Sequence, residues 1–151
     1  MMDCLVDTNV LLRSANRLHP ASSEARGALK RLFREGYRLC VARQNLLEAW
    51  VVATRPMEVN GFGYAPAVAA AGLSTIKRLF HVLAEVDEIY GEWERLVVRH
   101  QVRGKGAHDT RLAATMAIHG IDSILTYNGD DFRRYPNVRV LHPGDVMSAG
   151  R

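Results

Sequence analysis

The chain has 151 residues, close to the usual size of one compact unit, with 48% hydrophobic and 24% charged residues, a balance that excludes a long disordered tract. Its formal net charge is +4 at a sequence pI of about 9.4. Arginine supplies nearly all of the positive charge, with lysine only at Lys30, Lys77 and Lys105; guanidinium groups bind phosphate bidentately, so the composition fits a nucleic-acid partner, and arginine enrichment also follows from a GC-rich genome.

In chain order, Met1 to Val6 is an apolar run that turns polar at Asp7-Thr8-Asn9, and Asn9 stands where it could cap a following helix. Ala25, Ala28, Leu29, Leu32 and Phe33 have the three-and-four spacing of an amphipathic helix closed by Gly36, and Tyr37 to Ala42 reads as a second strand. Asn45 to Thr54 is a helix apolar on nearly every side, stopped by Arg55-Pro56, and 60–64 is a glycine-punctuated loop. Pro66 to His100 holds two helices parted near His81 to Val86. A helix from about Asp109 to His119 ends at Gly120; Asp122 to Thr126 and Val138 to Leu141 are strands, with a polar turn at 128–131 between them.

Strands alternating with helices predict an α/β fold with a mainly parallel sheet, because parallel neighbours need crossover connections. A single domain over 1–151 is expected, as no composition break divides the chain. The longest apolar stretches, such as Ala65 to Leu73, are too short to cross a bilayer, and no leader-like segment opens the chain, so a cytoplasmic protein without membrane contact is expected. Cys4 and Cys40 lie in strand-like runs without zinc or redox spacing and are expected to be buried thiols.

In an open parallel sheet, ligands collect beyond the carboxyl ends of the strands. Asp7 follows the first strand, Asp131 lies in the loop after 124–126, and Asp109 starts a helix. Glu48 is flanked by Leu46, Leu47, Ala49, Trp50, Val51 and Val52, surroundings that cost a carboxylate several kcal/mol unless a cation compensates it. Singly, Asp7 reads equally as a turn residue, Asp109 as a helix cap and Asp131 as a solvated turn residue. Together they form a hard-oxygen donor set of the kind preferred by Mg²⁺ or Mn²⁺, which can activate water for in-line attack on a phosphodiester.

The run Leu5-Val6-Asp7-Thr8-Asn9-Val10-Leu11-Leu12 resembles the opening motif of PIN domains, and Gln44-Asn45-Leu46-Leu47-Glu48 resembles their second acidic motif. Residues 104–114, around Asp109, are similar to the third, 124–132 resemble the fourth, and 138–143 look like the closing strand. The resemblance covers nearly the whole chain in the right order and, in size and wording, is greatest to VapC-type toxins of toxin-antitoxin pairs. It implies a three-layer sandwich around a four- or five-stranded sheet, and an Mg²⁺- or Mn²⁺-dependent endoribonuclease held inactive by a cognate antitoxin, often as a homodimer. Asp7, Glu48 and Asp109 match the acidic positions. At the fourth, where many relatives carry Asp, this chain has Asn128, so that role passes to Asp131 or is served by the Asn128 amide.

Thr8, Asn9 and Thr126 match supporting positions; the two hydroxyls could orient a carboxylate or a bound water, or be simple turn and strand hydroxyls. Arg103, Lys105, Arg111, Arg133 and Arg134 flank the third and fourth acidic motifs, where they could hold RNA phosphates or simply form a solvated basic face. Phe62 or Tyr64 could stack a base, or belong to a mobile surface loop. Trp93 and Leu96 could face a protomer or antitoxin, or simply pack in the core. No Walker or dinucleotide loop follows the first strand, no HExxH spacing occurs, and residue nine is Asn, which removes the aspartyl-phosphate pattern of haloacid dehalogenases. His108 reads as structural rather than as a general base. Asn128 keeps open a turnover-deficient RNA- or partner-binding module, and a PIN ribonuclease of RNA processing without an antitoxin is a further alternative.

Overall fold

A computed structural model describes residues 1–149; the last two residues of the expected 1–151 unit lie outside it. Five strands, β1 (Met2–Val6), β2 (Tyr37–Val41), β3 (His81–Val82), β4 (Ser123–Leu125) and β5 (Arg139–Leu141), form one sheet in the order β3-β2-β1-β4-β5. Every pairing is parallel, so the expected α/β architecture holds. Helices α1 (Thr8–Ala15), α2 (Ser22–Arg34), α3 (Arg43–Thr54), α4 (Pro66–Leu79), α5 (Glu88–Arg99), α6 (Gly106–His119) and α7 (Pro143–Ser148) connect and cover the strands.

The three layers follow from the two-residue period of β1. Cys4 and Val6 point to one face and pack with Val10 and Leu11 of α1, Ala25, Ala28 and Leu32 of α2 and Val146 of α7. Leu5 points to the other and packs with Ile124, Phe132 and Leu112 and Met116 of α6. Beyond α6, α5 adds Ile89 and Leu96 against Ala113, Ala114 and Tyr135. Cys4 and Cys40 are both fully buried free thiols, and each belongs to a different one of the two main cores.

Several boundaries differ from expectation for physical reasons. The helix cap after β1 is Asp7, which accepts the Thr8 N–H, rather than Asn9. Phe33 does not join the apolar face of α2 and is 71% exposed. α3 begins two residues before Asn45, because the Asn45 side chain reaches back to accept the Ala42 N–H at 2.8 Å and closes the helix start from inside. β3 has two residues, too few to show alternation in sequence. α6 starts at Gly106, and after the last strand Pro143 opens a further short helix, as suits proline at a first helical position.

The 60–64 loop is pinned, not loose. Phe62, Gly63 and Tyr64 donate N–H groups to Val52, Arg55 and Ala53 carbonyls at 2.9, 2.9 and 2.8 Å. Asn60 takes a left-handed φ of 65°, and a Cβ on Gly61 would stand 1.9 Å from the Arg55 carbonyl oxygen, so glycine is required there. Trp93 and Leu96 turn inward: Leu96 is buried, and the Trp93 indole N–H donates to the Ala107 carbonyl at 2.9 Å. Exposed apolar side chains include Leu47, Val51, Met57, Val59 and Val68 on α3, α4 and the turn between them, and Tyr90 and Val98 on the outer side of α5.

Phe132, fully buried beneath the turn that carries Asp131, anchors that turn to the β4–α6 core. Phe132→Ala is expected to cost about 3–5 kcal/mol, the usual range for emptying a buried phenylalanine site, read as a lower midpoint in urea denaturation.

Candidate active site

The chain winds outward from β1 through β2 to β3, then returns to the other side of β1 with β4 and β5. The carboxyl edge of β1 and β4 is therefore a topological switch point, where connections diverge and leave a crevice. Asp7 stands there. Its N–H continues the β-ladder by donating to the Leu125 carbonyl at 3.0 Å, while its side chain is 7% exposed.

Two short hydrogen bonds and one longer one hold the Asp7 carboxylate. The Thr8 N–H donates to Oδ1 at 2.8 Å and the Thr126 hydroxyl to Oδ2 at 2.8 Å. The direction of the hydroxyl proton is settled by the groups around it. Asn9 Oδ1 accepts the Tyr127 N–H at 3.2 Å, so its Nδ2 points to Thr126 Oγ1 at 3.3 Å and Asp7 Oδ2 at 3.4 Å. The Asn128 N–H also donates to Thr126 Oγ1, at 3.0 Å. Both acceptor positions of that hydroxyl are filled, and its proton has only Asp7 to go to.

Glu48 is held by a parallel device. Asn45, fully buried, uses its Oδ1 on the Ala42 N–H, so its Nδ2 donates to Thr8 Oγ1 at 3.1 Å. Thr8 accordingly donates to Glu48 Oε2 at 3.0 Å. The other oxygen, Oε1, accepts from Gln44 Nε2 at 2.8 Å, and the same nitrogen donates to the His108 carbonyl at 2.8 Å.

Asp109, on the first turn of α6, and the exposed Asp131 complete the acidic wall of a cleft of ≈ 390 Å³ that also contains Asn9, Asn128, Val51, Val52 and Arg55. All four expected carboxylates thus meet in one place. Burial raises the Asp109 pKa from 3.8 to about 6, with further upward push from Asp131, Asp7 and Glu48 in that order. Asp7 is also raised, first by burial, with Thr126 and the Thr8 N–H pulling it down and Glu48 and Asp131 pushing it up. Among the described residues no three acidic, His or Cys side chains close into a ready-made metal cage. The donor set fits a hydrated Mg²⁺-type ion, which keeps several waters and takes one or two carboxylates directly.

Asn128 and Asp131 both line the cleft, so the fourth acidic position is flanked by amide and carboxylate together. The basic residues divide. Arg111 pairs with Glu85 and Arg133 with Asp130, whereas Arg103 and Lys105 are exposed on the turn entering α6 and Arg134 is exposed beyond Asp131. His108 serves through its backbone carbonyl. Sequence reasoning missed three residues: Gln44 and Asn45, whose roles depend on partners distant in the chain, and Arg55, which reads as a helix stop but lines the cleft. The one signal for Gln44 and Asn45 was that both are polar on an otherwise apolar helix.

The sequence profile described as PIN domain matches residues 4–138. The 23S rRNA-specific endonuclease VapC20 of Mycobacterium tuberculosis is 32% identical over 111 residues, covering 73% of this chain and 80% of that protein. Among solved structures, VapBC2 from Rickettsia felis, bound to a DNA fragment from its promoter, superposes with a TM-score of 0.71 at 13% identity over 93% of this chain and 98% of that one. The M. tuberculosis VapC20 structure, a Sarcin-Ricin loop cleaving toxin, gives 0.65 at 20% identity over 87% of this chain and 95% of the other.

The electrostatics predict a specific titration. Because the folded pKa of Asp109 lies above its ordinary 3.8, its contribution to stability is full below that pH and is lost as pH rises through about 6. Carboxyl NMR of metal-free protein should show an Asp109 midpoint near 6, moved down in Asp131→Asn and moved down further by Mg²⁺ in the wild type. An unshifted carboxylate midpoint in metal-free protein would contradict the clustering.

Proposed function

The chain belongs to the PIN-domain family, and from that premise we propose that it is a divalent-metal-dependent endoribonuclease, the toxin of a VapBC-type pair. The observation that carries the reading is the meeting of Asp7, Glu48, Asp109 and Asp131, drawn from four separate segments, in one cleft at the sheet's switch point. The nuclease relative supports RNA as the substrate.

Mg²⁺ or Mn²⁺, when bound, would offset the clustered charge, polarise a phosphodiester and lower the pKa of an attacking water. The chain's own residues provide the rest. Thr126 and the Thr8 N–H fix Asp7, and Thr8 and Gln44 fix Glu48, so the carboxylates are oriented before any ligand arrives. Arg55 on the cleft wall spends one side-chain donor on the Asn60 carbonyl at 3.0 Å; a phosphate oxygen is a natural acceptor for the remaining outer N–H groups of its guanidinium. Arg103 and Lys105, exposed beside the start of α6, lie where they would hold flanking RNA phosphates. Arg111 and Arg133 are already committed to ion pairs.

An antitoxin partner is supported by the toxin-antitoxin assemblies among similar folds, including VapBC-1 from nontypeable Haemophilus influenzae. The exposed Leu47, Val51, Met57, Val59 and Val68 beside the cleft give such a partner, or a second protomer of a homodimer, apolar surface to cover. Asp131 beside Asn128 supports turnover over a binding-only module, because the carboxylate is supplied three residues later. Among the described residues no helix is long and apolar enough to cross a membrane.

Purified protein free of any antitoxin should cleave total RNA with Mg²⁺ and stop on addition of EDTA. Asp7→Asn should lower cleavage by more than about 100-fold, beyond the loss expected for a merely supporting contact, while circular dichroism and melting temperature stay close to wild type. Undiminished cleavage by that variant, or by wild type in EDTA, would refute the proposal.

A further inference from the structure

Glu48 has three side-chain torsions to restrain, yet among the described residues no Lys, Arg or His forms an ion pair with it. Two neutral donors do the restraining, one on each carboxylate oxygen: the Thr8 hydroxyl on Oε2 at 3.0 Å and the Gln44 amide on Oε1 at 2.8 Å. Neutral donors orient a carboxylate and leave its charge available; a cation would orient it and compete with a divalent ion.

The second hydrogen of the Gln44 amide goes to the carbonyl of His108 at 2.8 Å, one residue before Asp109. Both partners of Nε2 are acceptors, so the amide has one orientation, and that orientation leaves Oε1 buried with no donor. A simple surface pair on one helix would not require this. The local loss makes sense if the bridge itself is what is needed.

We propose that Gln44 is a positioning residue whose amide sets the span between the Glu48 carboxylate and the backbone that carries Asp109. The inference rests on the metal-nuclease reading of the cleft and adds a residue to it. Gln44 acts on the acidic wall through Glu48 and His108, without itself lining the cleft.

The test is Mn²⁺ titration by calorimetry of wild type, Gln44→Met, Gln44→Lys and Asp7→Asn, with a melting temperature for each. Gln44→Met keeps the chain's length and removes both donors. It should weaken Mn²⁺ binding about tenfold, the factor corresponding to about one hydrogen bond to a charged group, with the melting temperature nearly unchanged because Gln44 is only half-buried. Gln44→Lys returns a donor to Glu48 as a cation; it should hold the melting temperature and weaken Mn²⁺ binding further. A purely structural role predicts the reverse, recovery by lysine. Gln44→Met binding Mn²⁺ like wild type, or Gln44→Lys restoring affinity, overturns the inference while loss of binding in Asp7→Asn keeps the nuclease reading standing. If wild type and Asp7→Asn bind Mn²⁺ alike, the metal site itself is wrong and the inference falls with it.

Discussion

Like charges held close together repel, and the acidic cleft concentrates four carboxylates without a protein cation paired to Asp7, Glu48 or Asp109 among the described residues. The fold meets this constraint with hydroxyls, amides and backbone N–H groups. Each of the two threonines is aligned by an asparagine amide, so that its proton points at a carboxylate: Asn9 and Thr126 toward Asp7, Asn45 and Thr8 toward Glu48. Burial first, and the neighbouring carboxylates after it, raise the pKa of Asp109 and Asp7.

Topology brings the parts together. A parallel sheet whose winding reverses at β1 places the ends of β1 and β4 side by side, so Asp7 and Thr126 meet although far apart in sequence. α3 starts one residue after β2 and carries Glu48 along the same edge, and α6 delivers Asp109 from the opposite layer. Phe132 and the pinned 60–64 loop then fix the rim, the first beneath Asp131 and the second around Arg55.

The acids were legible because each sits where a charge is informative: after a strand, on an apolar helix, or at a helix start. The parallel α/β sheet was legible through the alternation of periods. Gln44 and Asn45 were not, since an amide's function lies in partners 64 and 37 residues away, which no local pattern encodes. Arg55-Pro56 reads as a stop signal, and its placement in the cleft depends on the loop folding back over α3. β3 was too short for periodicity, and the Asn9 cap lost to Asp7, the residue directly before the helix, with Asn9 already inside its first turn. Trp93 and Leu96 were open between a partner contact and core packing because amphipathic spacing does not say which neighbour covers a face; α6 covers it here.

If the cleft works as proposed, its four carboxylates form one divalent-ion site. Anomalous diffraction from crystals soaked in Mn²⁺ addresses it directly. The expected result is a manganese peak within the cleft, contacting one or more of Asp7, Glu48 and Asp109 directly or through water. A cleft free of manganese at full soaking, or a peak bound only elsewhere on the surface, would contradict it.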